Sequence, residues 1–319
     1  MAMYRNRFGP HQADQTYIPH EFPEQLVDLG EVEINYAMVG DSSKPALLLI
    51  PGQTESWWGY EQALPLLAKH FNAYAVDLRG QGRSTRTPGR YTLDNMGNDL
   101  VRFADVVIGR PTLVSGLSSG GVLSAWMSAY AKPHQVIGAH YEDPPLFSSQ
   151  VAPTIGQGIN QTIGPMFLLW NTYLGDQWSI GDWEGLIAAA PEVLPAWIAG
   201  FFSASSHEEP SQNLKEYDPE WARAFWSGTV AASCDHARML RSVKVPVLLT
   251  HHFRLVVDAT GALMGALSDA QAKRVLELLE EAGVVAEYRS FETMGHSMHG
   301  QDPQLFTDTL VEWSLPLSS

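Results

Sequence analysis

Residues 112–121 read Thr-Leu-Val-Ser-Gly116-Leu117-Ser118-Ser119-Gly120-Gly121, and a long stretch of small and apolar residues follows to Ala131. A short apolar strand, a glycine-flanked serine and a small-residue helix make the strand–turn–helix of a nucleophile elbow, G-x-S-x-G. Such a turn holds the serine in a strained backbone conformation, and glycines two before and two after let strand and helix pass closely. The Ser118 hydroxyl then stands at a helix N-terminus, where the dipole favours a developing negative charge. Ser119 lacks the glycine two positions earlier and is not the nucleophile. An ordinary Gly-rich turn is the plainer reading of the five residues, and only their context argues against it.

The rest of the chain supplies that context. Stretches that read as strands fall at Val32–Val39, which alternates, and at Ala46–Ile50, Ala73–Asp77, Val136–Tyr141, Val245–His251 and Glu287–Phe291. Ala46–Ile50 and Val245–Leu249 are continuously apolar, as in strands buried on both faces. Helical periodicity covers Leu93–Ile108 after Thr92, Asp269–Ala282 after the Ser268-x-x-Gln271 capping box, and Pro303–Trp313. Strands alternating with helices predict a mostly parallel sheet with helices on both faces. Residues 1–25 are polar and aperiodic and read as a surface arm that could form an oligomer contact. Residues 146–240 break the rhythm: they show no clear strand and hold six of the ten tryptophans, Trp170, Trp178, Trp183, Trp197, Trp221 and Trp226. This segment reads as a helical cap inserted between core segments 26–145 and 241–319.

Composition limits the partners. The 319 residues are 45 % hydrophobic and 17 % charged, with 20 Lys+Arg against 35 Asp+Glu and a net charge of −15. That excess disfavours nucleic acid and anionic membrane, which need a basic face. The single cysteine, Cys234, excludes an internal disulfide and a Cys-type metal site. No apolar run approaches the ~18 residues of a spanning helix, and no hydrophobic region follows the basic N-terminus. A cytoplasmic protein is the expectation. Arg79-Gly80-Gln81-Gly82 lacks the continuation of a dinucleotide fingerprint, so Asp77 and Arg79 are read as loop braces.

A serine nucleophile needs a base and an acid, in the chain order Ser, acid, His. His296, after Gly295 in the loop between the last strand and the last helix, has the address of the base. His299 competes but lies nearer the helix. For the acid, Glu142 stands one residue beyond the strand read at Val136–Tyr141, and its longer arm suits the reach. Asp143, before Pro144, reads as a turn residue. Asp258 follows Val245–His251 late, without a tight turn. Glu142 is therefore the expected acid, with Asp143 and Asp258 as alternatives. Pro51-Gly52-Gln53-Thr54 ends another strand, so backbone N–H groups of Gln53 and Ser119 are the expected oxyanion donors. Half of the cap tryptophans would fill a lid core. The remainder, with Trp183, Trp178 and Trp221 foremost, would line a pocket for a bulky apolar substrate.

Residues 30–315 resemble the α/β-hydrolase superfamily with a cap. More narrowly they are similar to bacterial zearalenone lactone hydrolases, on VDLRGQGRST (76–85), GLSSGG (116–121), EDPP (142–145), GDQWSIGDW (175–183), NLKEYDPEW (213–221), LLTHHFR (248–254) and TGALMGALSD (260–269). The resemblance implies an eight-stranded α/β-hydrolase fold, a Ser118–His296–Glu142 triad with the acid after the sixth strand, no cofactor or metal, and ester hydrolysis in a macrocyclic lactone, the chemistry of mycotoxin detoxification. The three apolar residues 255–257 before Asp258 depart from it. Rival expectations are a carboxylesterase or carbon–carbon bond hydrolase of the same fold, or a slow-turnover ligand receptor. Dehalogenase and epoxide hydrolase chemistry need a carboxylate at the elbow, where this chain has Ser118.

Overall fold

The computed structural model describes residues 18–317 except 176, 180, 196, 197 and 199–209. The arm to residue 17 and Trp197 thus lie outside the described residues. An eight-stranded sheet has the order β1-β2-β4-β3-β5-β6-β7-β10. Its strands are β1 (Glu24–Asp28), β2 (Glu33–Val39), β3 (Ala46–Ile50), β4 (Asn72–Val76), β5 (Thr112–Leu117), β6 (Val136–Glu142), β7 (Val247–His251) and β10 (Ala286–Ser290). β1–β2 and β2–β4 pair antiparallel, and all other neighbours pair parallel. β3, β4, β5 and β7 are buried at every position, which explains the unbroken apolar run of β3 and the apolar start of β7.

The strand period divides the core. Leu48 and Ile50 face one apolar cluster, Leu47 and Leu49 the other. The first cluster is covered by the helices Leu93–Phe103, Ser119–Tyr130 and Asp269–Glu281, the second by Pro303–Ser314. The Thr92 hydroxyl accepts the N–H of Asn95, and Ser268 forms its capping box with Gln271. The expected helix Leu93–Ile108 continues past Phe103 as a π turn that ends at Gly109, φ 64°. Ser119–Tyr130 is buried along nearly its whole length, so small residues are what let its neighbours approach. A Cβ on Gly97 would fall 2.2 Å from the Trp126 ring.

One expectation is corrected. The last two residues of the segment read as an arm begin β1, which pairs with β2 from Glu24↔Ala37 to Asp28↔Glu33. This strand is open on both faces, so no buried side imposed a pattern to read. After β7, where no tight turn was expected, the chain forms a hairpin of β8 (Leu255–Val256) and β9 (Leu263–Met264). Asp77 and Arg79 do brace loops. Asp77 accepts the N–H groups of Trp57 and Arg83 and the Asn35 amide, and burial pushes its carboxyl up to about 7. Arg79 holds Asp99 through two bonds of 2.6 and 2.8 Å.

Between β6 and β7 the regular elements among the described residues are all helical, with Gly164–Tyr173, Trp183–Val193, Glu220–Trp226 and His236–Arg241 as the longer pieces. No helix among the described residues is long and apolar enough to cross a membrane.

Glycine at 120 is a packing requirement, since a Cβ there would lie 2.3 Å from the Ile50 carbonyl oxygen and 2.6 Å from that of Pro51. Backbone cannot yield as a flexible side chain does. Gly120→Ala is expected to cost about 1–3 kcal/mol, read as a lower denaturant midpoint; an unchanged midpoint would show that the elbow is not tightly packed.

Candidate active site

Three strand ends meet in one cavity of about 610 Å³. β5 delivers Ser118 at φ 54°, ψ −122°, immediately before the helix Ser119–Tyr130. The Ser118 N–H donates to the Glu142 carbonyl at 2.9 Å, which ties the elbow to the end of β6. Gly116 and Gly120 allow the turn: a Cβ on Gly116 would lie 2.2 Å from the Gly120 oxygen. β3 delivers Gly52 and Gln53. A Cβ on Gly52 would stand 3.2 Å from the Ser118 Cβ, so the β3 loop lies directly beside the serine. Gln53, Ser118, Ser119 and His296 all line the cavity. Ser118 and His296 share it without a hydrogen bond between them, as is common in unliganded sites. Among the described residues the backbone N–H groups of Gln53 and Ser119 donate to no carbonyl, which leaves both open to a ligand.

The residue beside His296 is Asp143. Its Oδ2 lies 2.6 Å from His296 Nδ1, and its Oδ1 accepts the His252 N–H at 3.2 Å. Glu142 points elsewhere. Its Oε1 accepts the N–H groups of Met298 and His299 at 2.7 and 3.2 Å, and its Oε2 lies 3.0 Å from His299 Nδ1. The expectation of Glu142 against His296 is therefore corrected. The reason is one residue of strand: β6 runs through Glu142, not Tyr141. Glu142 still alternates with the ladder, and the first residue beyond it is Asp143, at φ 40°. Asp258 is exposed beyond β8, outside the cavity.

Electrostatics follow from these pairs. Burial alone would raise the Asp143 carboxyl, but the hydrogen bond and charge of His296 outweigh it and hold it below the usual value. Burial works against the charged His296 ring, but Asp143, helped by Glu55 and Glu142, raises it above the ordinary 6.5. The ring sits deep among protein atoms although 48 % of its side-chain surface remains open. His299 is likewise raised against its own burial, by Glu142. His252 completes the fastening: its Nδ1 donates to the Gly295 and His296 carbonyls at 2.9 and 3.0 Å.

The cap residues also differ from expectation. Trp178, Trp183 and Trp221 do not line the cavity. The Trp178 indole donates to the Gly82 carbonyl and that of Trp221 to the Arg79 carbonyl; Trp183 is buried in the core. Buried indoles need acceptors, and core loops supply them here. The cap instead offers Phe167, Trp170, Phe225, Ile159 and Ile163, joined by Phe253 and Met264 from the hairpin region. Sequence gave no mark separating these from lid filling. The segment Glu216-Tyr217-Asp218 docks the cap: Glu216 accepts from Ser56 and Trp58, Tyr217 from the Gln53 amide at 2.7 Å, and Asp218 from Arg86 and Tyr91.

The sequence profile of the alpha/beta hydrolase family matches residues 47–309. The chain belongs to that family. Among curated relatives, the 3-oxoadipate enol-lactonase 2 of Acinetobacter baylyi is 28 % identical over 102 residues, 31 % of this chain and only 38 % of the relative's length. The fluoroacetate dehalogenase of a Burkholderia species is 25 % identical over 268 residues, 78 % of this chain and 82 % of that protein. Among solved structures, the enol-lactonase from Burkholderia xenovorans superposes with a TM-score of 0.62 at 15 % identity, covering 91 % of this chain and 99 % of its own. A lipase-like protein from Acinetobacter baumannii gives 0.64 at 18 %, covering 96 % and 94 %. Such identities establish a shared alpha/beta hydrolase fold.

Asp143→Asn is expected to reduce kcat about 10⁴-fold with little change in melting temperature. Catalysis by His296 requires its neutral ring, so activity falls as pH drops through its pKa. Because that pKa is raised, the acid limb of kcat/KM should lie above 6.5 in the native protein, and lower in Asp143→Asn. Glu142→Gln strands a buried His299 and should cost about 3–5 kcal/mol of stability. Equal pH profiles, or a larger kcat loss in a stable Glu142→Gln, would return the acid to Glu142.

Proposed function

We propose that this protein is a serine hydrolase that opens a neutral, bulky macrocyclic lactone of the resorcylic (zearalenone) type. The observation that carries the reading is a strained Ser118 on the floor of a large apolar cavity, with His296 held at 2.6 Å by buried Asp143 on the same floor. Cavities of this size, mostly apolar with a few polar groups at one end, suit drug-sized ligands. In this reading residues 146–240 are the cap domain on a core of 26–145 and 241–319. The protein works in the cytoplasm on a small hydrophobic substrate, with neither metal nor organic cofactor. A homodimer goes with it.

The chemistry follows. Ser118 Oγ attacks the lactone carbonyl carbon as His296 takes its proton, and Asp143 orients the ring and stabilises the imidazolium. The oxyanion rests on the N–H groups of Gln53 and Ser119; one such donor is worth about 10²–10³ in rate. The ring C–O bond breaks, and His296 returns the proton to the leaving alkoxide. Water, deprotonated by His296, then attacks the acyl carbon, and Ser118 leaves with that proton. The product is a hydroxy acid. The carbon–carbon hydrolase reading wants a cation to clamp a carboxylate, and no lysine or arginine among the described residues lines the cavity. A carboxylate nucleophile is excluded by the serine at the elbow.

Chromatography of zearalenone incubated with the protein should show the ring-opened product, and Ser118→Ala should lose on the order of 10⁶ in rate. Retention of a tenth of the activity would end the serine mechanism.

The cap can be tested with two residues. Ile163 lines the cavity and is 42 % exposed, so Ile163→Ala should raise KM for the lactone roughly tenfold and leave both 4-nitrophenyl acetate hydrolysis and the melting curve alone. Trp183→Ala should cost about 3–5 kcal/mol of stability and damage both substrates together.

A further inference from the structure

The ionisable side chains lining the cavity, among the described residues, are Glu55, Asp143 and His296, with neither lysine nor arginine. Two carboxylates and one imidazole leave the lining at −2 with His296 neutral and −1 with it protonated. Asp143 is saturated by His296 and the His252 N–H. Glu55 is not. Its Oε2 accepts the Gly52 N–H at 3.2 Å, and 23 % of the side chain stays accessible. His299 Nε2 lies 3.8 Å from Glu55, but that imidazole already has a buried counter-charge in Glu142 at 3.0 Å. The carboxylate of Glu55 is thus the one lining charge held beside the Gly52–Gln53 loop without a full partner.

We propose that Glu55 is a specificity-determining residue that confines the site to esters uncharged in their acyl part and drives out the carboxylate product. The proposal rests on the ester-hydrolase reading. A carboxylate entering this cavity would shed water, find no lysine or arginine, and meet like charge, which disfavours binding in a partly desolvated site. Hydrolysis changes the ligand in the same sense. A neutral lactone and water become an alcohol and a carboxylic acid that releases its proton to solvent. The substrate enters without charge, and the product leaves as an anion beside Glu55. One carboxylate thereby acts on substrate choice and on product release. The alternative role of Glu55 is a loop brace alone, through its bond to Gly52. Glu55→Gln separates the two, since the amide oxygen can still accept that N–H while the charge is gone.

The test compares kcat/KM for 4-nitrophenyl valerate with that for the mono-4-nitrophenyl ester of glutarate, acyl chains of equal length, one neutral and one anionic. The wild type should favour the neutral ester strongly. Glu55→Gln should narrow that preference about tenfold, equivalent to ~1.4 kcal/mol, mainly through the anionic ester. It should also strengthen inhibition by free valerate but not by valeramide. An unchanged ratio and unchanged valerate inhibition in Glu55→Gln overturn the proposal and leave the hydrolase reading standing. The native preference should persist in 0.5 M salt; one that vanishes there belongs to the overall charge of −15, screened over about 10 Å or less, and overturns the role of Glu55. Failure to hydrolyse either ester, or the lactone, removes the hydrolase reading and this proposal with it.

Discussion

The end of β6 is the constraint on which the site depends. Two successive carboxylates there, Glu142 and Asp143, each meet a histidine of the loop after β10, at 3.0 and 2.6 Å. The two histidines are three residues apart, so a single loop is pinned twice. Glu142 also accepts the first N–H groups of the short helix Met298–Gln301, a carboxylate at a helix N-terminus. Because both carboxylates are essentially fully buried, neither could remain charged without its partner. The inner pair fixes where the loop lies; the outer pair fixes which way the His296 ring faces.

That arrangement explains how far the sequence could be read. Buried strands such as Ala46–Ile50 were legible because burial on both faces demands uninterrupted apolar residues. Ser118 was legible because an elbow requires glycine on both sides, and contacts of 2.2–2.3 Å at Gly116 and Gly120 show the physical source of that demand. The choice between Glu142 and Asp143 turned on where β6 ends, and strand ends are set by neighbours: Ser118 N–H bonds to the Glu142 carbonyl and keeps that residue in the ladder. No local pattern encodes that bond. β1 was invisible for the opposite reason, an edge strand without a buried face.

The tryptophans teach a similar lesson about the cap. Bulk and aromaticity drew attention to Trp178 and Trp221, yet both turn their indole N–H to carbonyls of residues 79–82. An aromatic with a donor is well suited to cover a loop whose carbonyls need partners. Phe167, Phe225 and Ile163, which carry no such donor, face the cavity instead, and the one indole that joins them, Trp170, leaves its N–H without a partner among the described residues. NLKEYDPEW accordingly reads as a docking segment, since Glu216, Tyr217, Asp218 and Trp221 all bond to core loops. One of those bonds, Tyr217 to the Gln53 side chain, reaches a residue of the cavity floor, so placement of this segment and placement of the loop after β3 are one structural problem.

Strain marks the same edge. Three of the six described non-glycine residues at positive φ lie there: Ser118 at 54° and Asp143 at 40° directly follow β5 and β6, and Thr54 at 62° stands four residues beyond β3. Such conformations cost about 1–3 kcal/mol each for residues with a side chain. They persist because the strands before them are buried at every position or nearly so, and cannot shift to relax the turn. A parallel sheet puts consecutive strand ends on one edge. A sharp turn at each end then throws side chains or N–H groups across that edge, where a gradual turn would carry them onto the faces beneath the helices. The donors of β3, the hydroxyl of β5 and the carboxylate of β6 converge for that reason. The core's rigidity is what makes three locally unfavourable turns affordable at one point.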